Sequence, residues 1–144
     1  MEKKKILYYE EEKWFADILV RDIEEKPHYK VTLVITPADF FKEINSSFHY
    51  DLFILDIMTP MLYFSEDDLK LLRGDQLRDL NGGFSVGVVF YDMIREIDKY
   101  KETPVIFYTA KSNPNKPGTE YFLKPNDSET IIKTIDKFLK ISDV

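Results

Sequence analysis

The chain contains no cysteine. Disulfides and thiolate metal sites are therefore excluded, and packing and hydrogen bonds must hold the fold. Histidine is almost as scarce, with only His28 and His49. No apolar run is long enough to span a bilayer. The opening Met1-Glu2-Lys3-Lys4-Lys5 leads into a short apolar run and then acids, which is not a secretory leader. Twenty Lys and Arg stand against 26 Asp and Glu, for a net charge of -6, and the basic residues form no stripe. Nucleic acid and membrane are thus not expected as partners. Internal repeats, low-complexity tracts and linkers are also missing. A single cytoplasmic domain over 1–144 is expected, and 44% hydrophobic content suffices for a core.

What is present is a regular alternation of two periodicities. Short runs rich in apolar and β-branched residues predict strands at Lys5–Tyr9, Lys30–Ile35, Leu52–Leu55, Thr103–Thr109 and Tyr121–Leu123. Between them lie helical patterns. Trp14, Phe15, Ile18, Leu19 and Ile23 form the first, and the spacing places all of them in the core. Thr36-Pro37 is an N-cap followed by proline at the first helical position, ahead of Phe40, Phe41 and Ile44. Val88, Val89, Tyr91, Met93, Ile94 and Ile97 mark another helix. Asp127 caps the last, which carries Ile131, Ile132, Ile135, Phe138 and Leu139. Strands alternating with helices imply right-handed crossovers and an α/β fold: a doubly wound, five-stranded parallel sheet with helices on both faces.

Two connections depart from the alternation. Between Met61 and Gly83, Ser65-Glu66-Asp67-Asp68 predicts a short capped helix over Leu69, Leu71 and Leu72, closed by Gly74. Asp67 and Asp68 are its first-turn acids, and Asp75 to Gly83 reads as loop. Arg73 and Arg78 are expected on the solvated surface. Between Thr109 and Tyr121, two prolines and a glycine predict loop, so a helix there is missing or reduced.

The strand ends carry the chemistry. The first delivers Glu10 and Glu11, the third Asp56, the fourth Thr109, and the fifth Lys124 followed by Pro125. In parallel α/β sheets, ligands bind at the carboxyl ends of the strands. Three acids at one edge repel one another unless a cation sits among them. An all-oxygen donor set suits Mg²⁺, which often bridges to phosphate. A carboxylate beside such an ion, with a lysine and a hydroxyl for phosphoryl oxygens, reads as a phosphoryl acceptor.

On these residues the chain resembles a two-component response-regulator receiver domain, of the flavodoxin-like class. The resemblance is carried by Ile6-Leu-Tyr-Tyr-Glu10-Glu11-Glu12, Leu55-Asp56-Ile-Met-Thr-Pro60, Val105-Ile-Phe-Tyr-Thr109-Ala110 and Tyr121-Phe-Leu-Lys124-Pro125, with Gly87 and Ile94-Arg95 in the third helix. It implies that Asp56 accepts the phosphoryl group. Glu10, Glu11, Asp56 and the backbone carbonyl of Met58 would hold Mg²⁺. Lys124 would pair with the acceptor, Thr109 would bond the phosphoryl group, and Tyr121 would be the switch that follows Thr109. Met58 and Lys111, each two residues after a site residue, would tune the lifetime of the phosphorylated state.

The chain departs from the family's pattern at Glu11, where aspartate is usual, at the insert 61–83, and at the helix lacking after Thr109. The implied function is an atypical single-domain phosphoacceptor in phosphorelay signal transduction. A histidine kinase or phosphotransfer protein would be its donor and a protein effector in trans its target. It would not be an enzyme beyond its own phosphotransfer and dephosphorylation. The alternative is a pseudo-receiver, the same fold used as a phosphorylation-independent interaction module.

Overall fold

A computed structural model of the protein describes residues 2–141. Five strands, β1 (Lys4–Tyr9), β2 (Tyr29–Val34), β3 (Leu52–Leu55), β4 (Val105–Thr109) and β5 (Thr119–Leu123), form one all-parallel sheet in the order β2-β1-β3-β4-β5. The order reverses direction beside β1, which makes a crevice at the carboxyl ends of β1 and β3. β3 and β4 are buried throughout, as double-sided cover requires, whereas edge strand β5 mixes exposed and half-buried residues.

Side chains leave a strand on alternate faces, so each strand feeds two cores. Ile6, Tyr8, Ile54, Ile106 and Tyr108 pack under α1 (Lys13–Glu24) and α6 (Ser128–Leu139). Leu7, Tyr9, Phe53, Leu55 and Phe107 pack under α2 (Pro37–Ile44) and α5 (Val86–Glu96). The second core is aromatic: Phe40 stacks on Phe90 at 4.2 Å, and Tyr9 meets Phe90 edge-on at 5.0 Å. Thr36 caps α2 and Asp127 caps α6, as the sequence predicts.

The α1 helix departs from the sequence reading. Trp14 is 70% exposed and Ile18 is 49% exposed, not core. Its buried residues are Ala16, Leu19 and Ile23, with Phe15 and Val20 packed beside them. That stripe is narrower than the apolar arc in the sequence, and Trp14 and Ile18 lie one turn apart outside it.

The segment 61–83 is also more ordered than its sequence suggests. Two short helices, α3 (Glu66–Lys70) and α4 (Gly74–Asp79), lie between 3₁₀ turns at Met61–Tyr63 and Asn81–Gly83. The Ser65 hydroxyl accepts from the Asp68 amide at 3.0 Å, and the Asp68 carboxylate accepts from the Ser65 amide at 2.9 Å. This is the predicted capping box. Gly74, however, opens the next helix instead of closing this one. The Gln76 side chain accepts from the Arg73 amide at 2.8 Å, supplying a first-turn cap that a loop reading overlooks. Phe64, Leu72 and Leu80 join the core beside α5, while Leu62 stays 82% exposed. From β4 to β5 the chain has no helix; residues 110–118 form an irregular strap. Among the described residues, no helix is long and apolar enough to cross a membrane.

Candidate functional site

The carboxyl ends of β1, β3, β4 and β5 converge on a cleft of about 220 Å³ lined by Glu11, Glu12, Phe15, Asp56, Met58, Thr109, Ala110, Lys111 and Lys124. Asp56 continues β3 by one residue, its amide donating to the Tyr9 carbonyl at 3.1 Å. Its side chain is buried. One oxygen accepts from the Ile57 amide at 2.8 Å, and the other lies 3.2 Å from the Lys124 ammonium. Lys124 also donates to Glu10. It therefore bridges two of the three acids, while the rings of Phe15 and Tyr108 face its charge at 4.9 and 5.9 Å.

Glu10, Glu11 and Asp56 each present an oxygen within 4.8 Å of the others. The two glutamates differ in how they are satisfied. Glu10 is fully buried, with one oxygen on Lys124 and the other accepting from the Glu12 amide at 3.2 Å. In Glu11, the buried Oε2 has no hydrogen-bond donor among the described residues. Burial, then the charge of Asp56, pushes the Glu10 carboxyl up to about 6, with Lys124 opposing the rise. Burial, then Asp56 and Glu10, pushes Glu11 up to about 9. For Lys124, burial acts downward, but Asp56 and Glu10 outweigh it and the ammonium is held above its usual range.

The acids thus behave as a site short of positive charge. An oxygen without a donor, beside two more carboxylates and with neither His nor Cys, fits a small hard cation such as Mg²⁺. The longer Glu11 side chain, which departs from the usual aspartate, reaches the same cluster.

The loop after Asp56 is held in place by packing that only glycine permits. A Cβ on Gly87, in the first turn of α5, would run into the Asp56 carbonyl and come within 2.7 Å of the Ile57 Cα. The Gly87 amide donates to the Ile57 carbonyl at 2.8 Å. Gly83, at φ 98°, lets its own carbonyl accept from the Thr59 amide at 2.9 Å. The buried Thr59 hydroxyl in turn meets the Tyr9 hydroxyl at 2.6 Å.

Thr109 is fully buried, and its hydroxyl oxygen accepts from the Lys111 amide at 3.2 Å. Tyr121 is half-buried, and its hydroxyl donates to the Lys111 carbonyl at 2.6 Å. Lys111 therefore stands between the two residues expected to act together. Met58 is 38% exposed at the cleft. Arg73 pairs with Glu96 and Asp75, and Arg78 with Asp79, all solvated and away from Asp56's lining. Four contributors had no sequence signal of their own: Glu12 through its backbone, Phe15 and Tyr108 beside Lys124, and Thr59 under the loop. Outside the cleft lining, the Phe84 ring lies 4.8 Å from the Lys111 ammonium.

No protein-family model and no curated protein matches this sequence. Solved structures do. The receiver domain of Francisella response regulator 1452 is similar at 20% identity and a TM-score of 0.68, over 96% of this chain and 98% of that one. The signal receiver domain of a putative Luxo repressor protein from Vibrio parahaemolyticus is similar at 20% identity and 0.70, over 96% and 92%. Response regulator protein TrrA from Thermotoga maritima, solved in complex with Mg²⁺ and BeF, is similar at 23% identity and 0.65, over 94% and 98%. Strand order, the carboxylate-lined crevice and these likenesses agree: this chain has the fold of a response-regulator receiver domain over nearly its whole length.

Proposed function

We propose that the protein is a phosphoacceptor receiver module in phosphorelay signal transduction, a cytoplasmic phosphoprotein that takes a phosphoryl group on Asp56 with Mg²⁺. The carrying observation is Lys124 paired to the Asp56 carboxylate, beside a glutamate oxygen that no donor reaches. Glu10, Glu11, Asp56 and the Met58 carbonyl would hold the ion. When bound, Mg²⁺ neutralises the carboxylates and the incoming phosphoryl oxygens.

The chain's own residues account for the rest. An Asp56 oxygen forms the new P–O bond as the donor's P–N bond breaks, the electron pair leaving on the imidazole nitrogen of a histidine kinase or phosphotransfer protein. Lys124, already beside that carboxylate, makes charge-assisted bonds to the oxyanions. Thr109 accepts from the Lys111 amide and so keeps its own hydroxyl hydrogen to donate to a phosphoryl oxygen. Tyr121 responds to Thr109 through the residue they share. Met58 and Lys111 line the approach to the cleft. A thioether orients water poorly and an ammonium cannot act as a base, so the acyl phosphate is slow to hydrolyse. The group is read by a protein effector in trans, and the chain catalyses nothing beyond its own phosphotransfer and dephosphorylation.

A second reading draws on one observation. Lys124 already neutralises Glu10, and Glu11 is held protonated up to about pH 9. Acid charges quenched in this way without an ion suit a pseudo-receiver, an interaction module independent of phosphorylation. Intact mass after incubation with Mg²⁺ and a small phosphodonor separates the two. One added phosphoryl group, lost in Asp56→Asn, is expected. No adduct and no beryllofluoride binding by the folded protein would favour the pseudo-receiver.

A further inference from the structure

Lys111 joins three contacts at the edge of the cleft. Its amide donates to the Thr109 hydroxyl at 3.2 Å, and its carbonyl accepts from the Tyr121 hydroxyl at 2.6 Å. Its side chain lines the cleft with Asp56, and its ammonium lies 4.8 Å from the centre of the Phe84 ring. No carboxylate pairs with that ammonium among the described residues; its partner is an aromatic face. Such a contact is attractive but yields readily to a full negative charge.

Phe84 is not a free surface residue. Its amide donates to the Asn81 carbonyl at 3.1 Å, the last turn of the segment 61–83. Gly83, its neighbour, holds Thr59 at 2.9 Å, three residues after Asp56. The residue is 52% exposed, and its ring faces the Lys111 ammonium. Two routes thus run from Asp56 to this one contact. One passes through the β3 loop and Gly83; the other passes through Thr109 and the strap.

We propose that Lys111 is a positioning residue that couples the acceptor site to the inserted segment, through its ammonium on the Phe84 ring. The inference rests on the phosphoacceptor reading of Asp56. A phosphoryl group in the cleft places oxyanions within reach of the Lys111 ammonium and pulls it off the ring. The Thr109 and Tyr121 bonds to the same residue shift with it. Phe84 and the last turn of the insert then lose their tie to the strap. The phosphorylated state is reported at the insert, in a chain that has no helix between β4 and β5 to report it.

The test is amide hydrogen exchange on the full chain with Mg²⁺, with and without beryllofluoride. ¹⁹F NMR independently scores whether beryllofluoride is bound. In the parent, exchange at 80–85 is expected to quicken by about two- to fivefold, the range that one solvent-exposed cation–π contact can hold back. In Phe84→Leu, which removes the ring from an exposed position, binding and the change at 109–118 persist while the change at 80–85 is lost. Phe84→Tyr, which keeps an aromatic face, restores it. Bound beryllofluoride with no change at 80–85 in the parent overturns the coupling alone. The same holds if Phe84→Leu responds like the parent. No bound fluoride signal in a folded parent overturns the phosphoacceptor reading, and the coupling falls with it.

Discussion

The connections after β3 and after β4 leave the same edge of the sheet, and both carry site residues, yet they are built in opposite ways. The first, across 61–83, buries a side chain every fourth residue: Phe64, Asp68, Leu72, Gln76 and Leu80. Three are apolar and join the core; the two polar ones cap their helices. The second, 110–118, buries none. It is pinned at its ends by hydroxyls instead: Tyr121 on the Lys111 carbonyl, and Tyr91 on the Pro117 carbonyl at 2.7 Å. One connection is an extension of the core, and the other is a strap laid over it. Segments held by few apolar contacts open at low cost, so the strap is where the site can move, and the insert is where movement can be resisted.

The largest effect should come from the insert's core. Leu80→Ala, at 1% exposure, is expected to cost about 2–5 kcal/mol in urea unfolding, the range for a buried leucine truncated beside packed neighbours. A cost below 1 kcal/mol would mean that 61–83 is laid on the domain loosely, and the contrast with the strap would collapse.

A pH series sharpens the contrast at the edge the two connections share. Glu11 is raised from 4.5 to about 9 by burial, Asp56 and Glu10. A carboxyl raised on folding gives its full stabilisation below the unfolded value, and loses it as pH climbs to the folded one. Metal-free protein should therefore lose stability from about pH 4.5 to about pH 9, more steeply than Glu11→Gln, which cannot ionise. Saturating Mg²⁺ favours the charged form and should flatten the parent's slope more than the variant's, which keeps Glu10 and Asp56. Parallel urea midpoints for parent and variant would show that Glu11 does not feel its neighbours.

The strap should be cheaper to loosen. Tyr91→Phe removes the hydroxyl that holds the Pro117 carbonyl but keeps the ring against Phe107. The carbonyl belongs to an exposed residue that water can satisfy, so a loss of about 0.5–1.5 kcal/mol is expected. Amide exchange should rise in 110–118 and stay unchanged in 61–79, the part of the insert away from the turn that Lys111 touches. Spread of the effect into the insert would mean the two connections form one unit.

How much of this was legible in the sequence differs between the same two regions. The strap's lack of a helix followed from two prolines and a glycine. The strand ends announced Glu10, Glu11, Asp56, Thr109 and Lys124, because each stands where an apolar run stops. The insert hid its order. Its buried stripe has a period of four, but Asp68 and Gln76 occupy two of the five places, so a scan for apolar periodicity sees only Phe64, Leu72 and Leu80 at intervals of eight. Trp14 misled in the other direction: its arc in α1 is apolar, but the contact surface of the sheet is narrower. The position of Lys111 between Thr109 and Tyr121 rests on backbone groups, which sequence does not distinguish.

The smallest effect should be at the outer seam of the insert. Arg73 makes a two-pronged bond to Glu96 of α5 at 2.8 and 2.9 Å and also reaches Asp75. On paper it is the best ion pair between insert and domain, and it holds both carboxyls below their usual range, with hydrogen bonding from the guanidinium as the main cause. Yet both partners are about half exposed. Water and salt screen such a pair, and ordering two long side chains offsets what remains of the attraction. The insert already has Phe64, Leu72 and Leu80 in the core, so its position does not depend on the bridge. Arg73→Ala should shift the urea midpoint less than Tyr91→Phe does, and what difference there is should vanish in high salt. A loss that rivals Leu80→Ala, or one that salt leaves untouched, would place the insert's attachment in this bridge and not in its buried stripe.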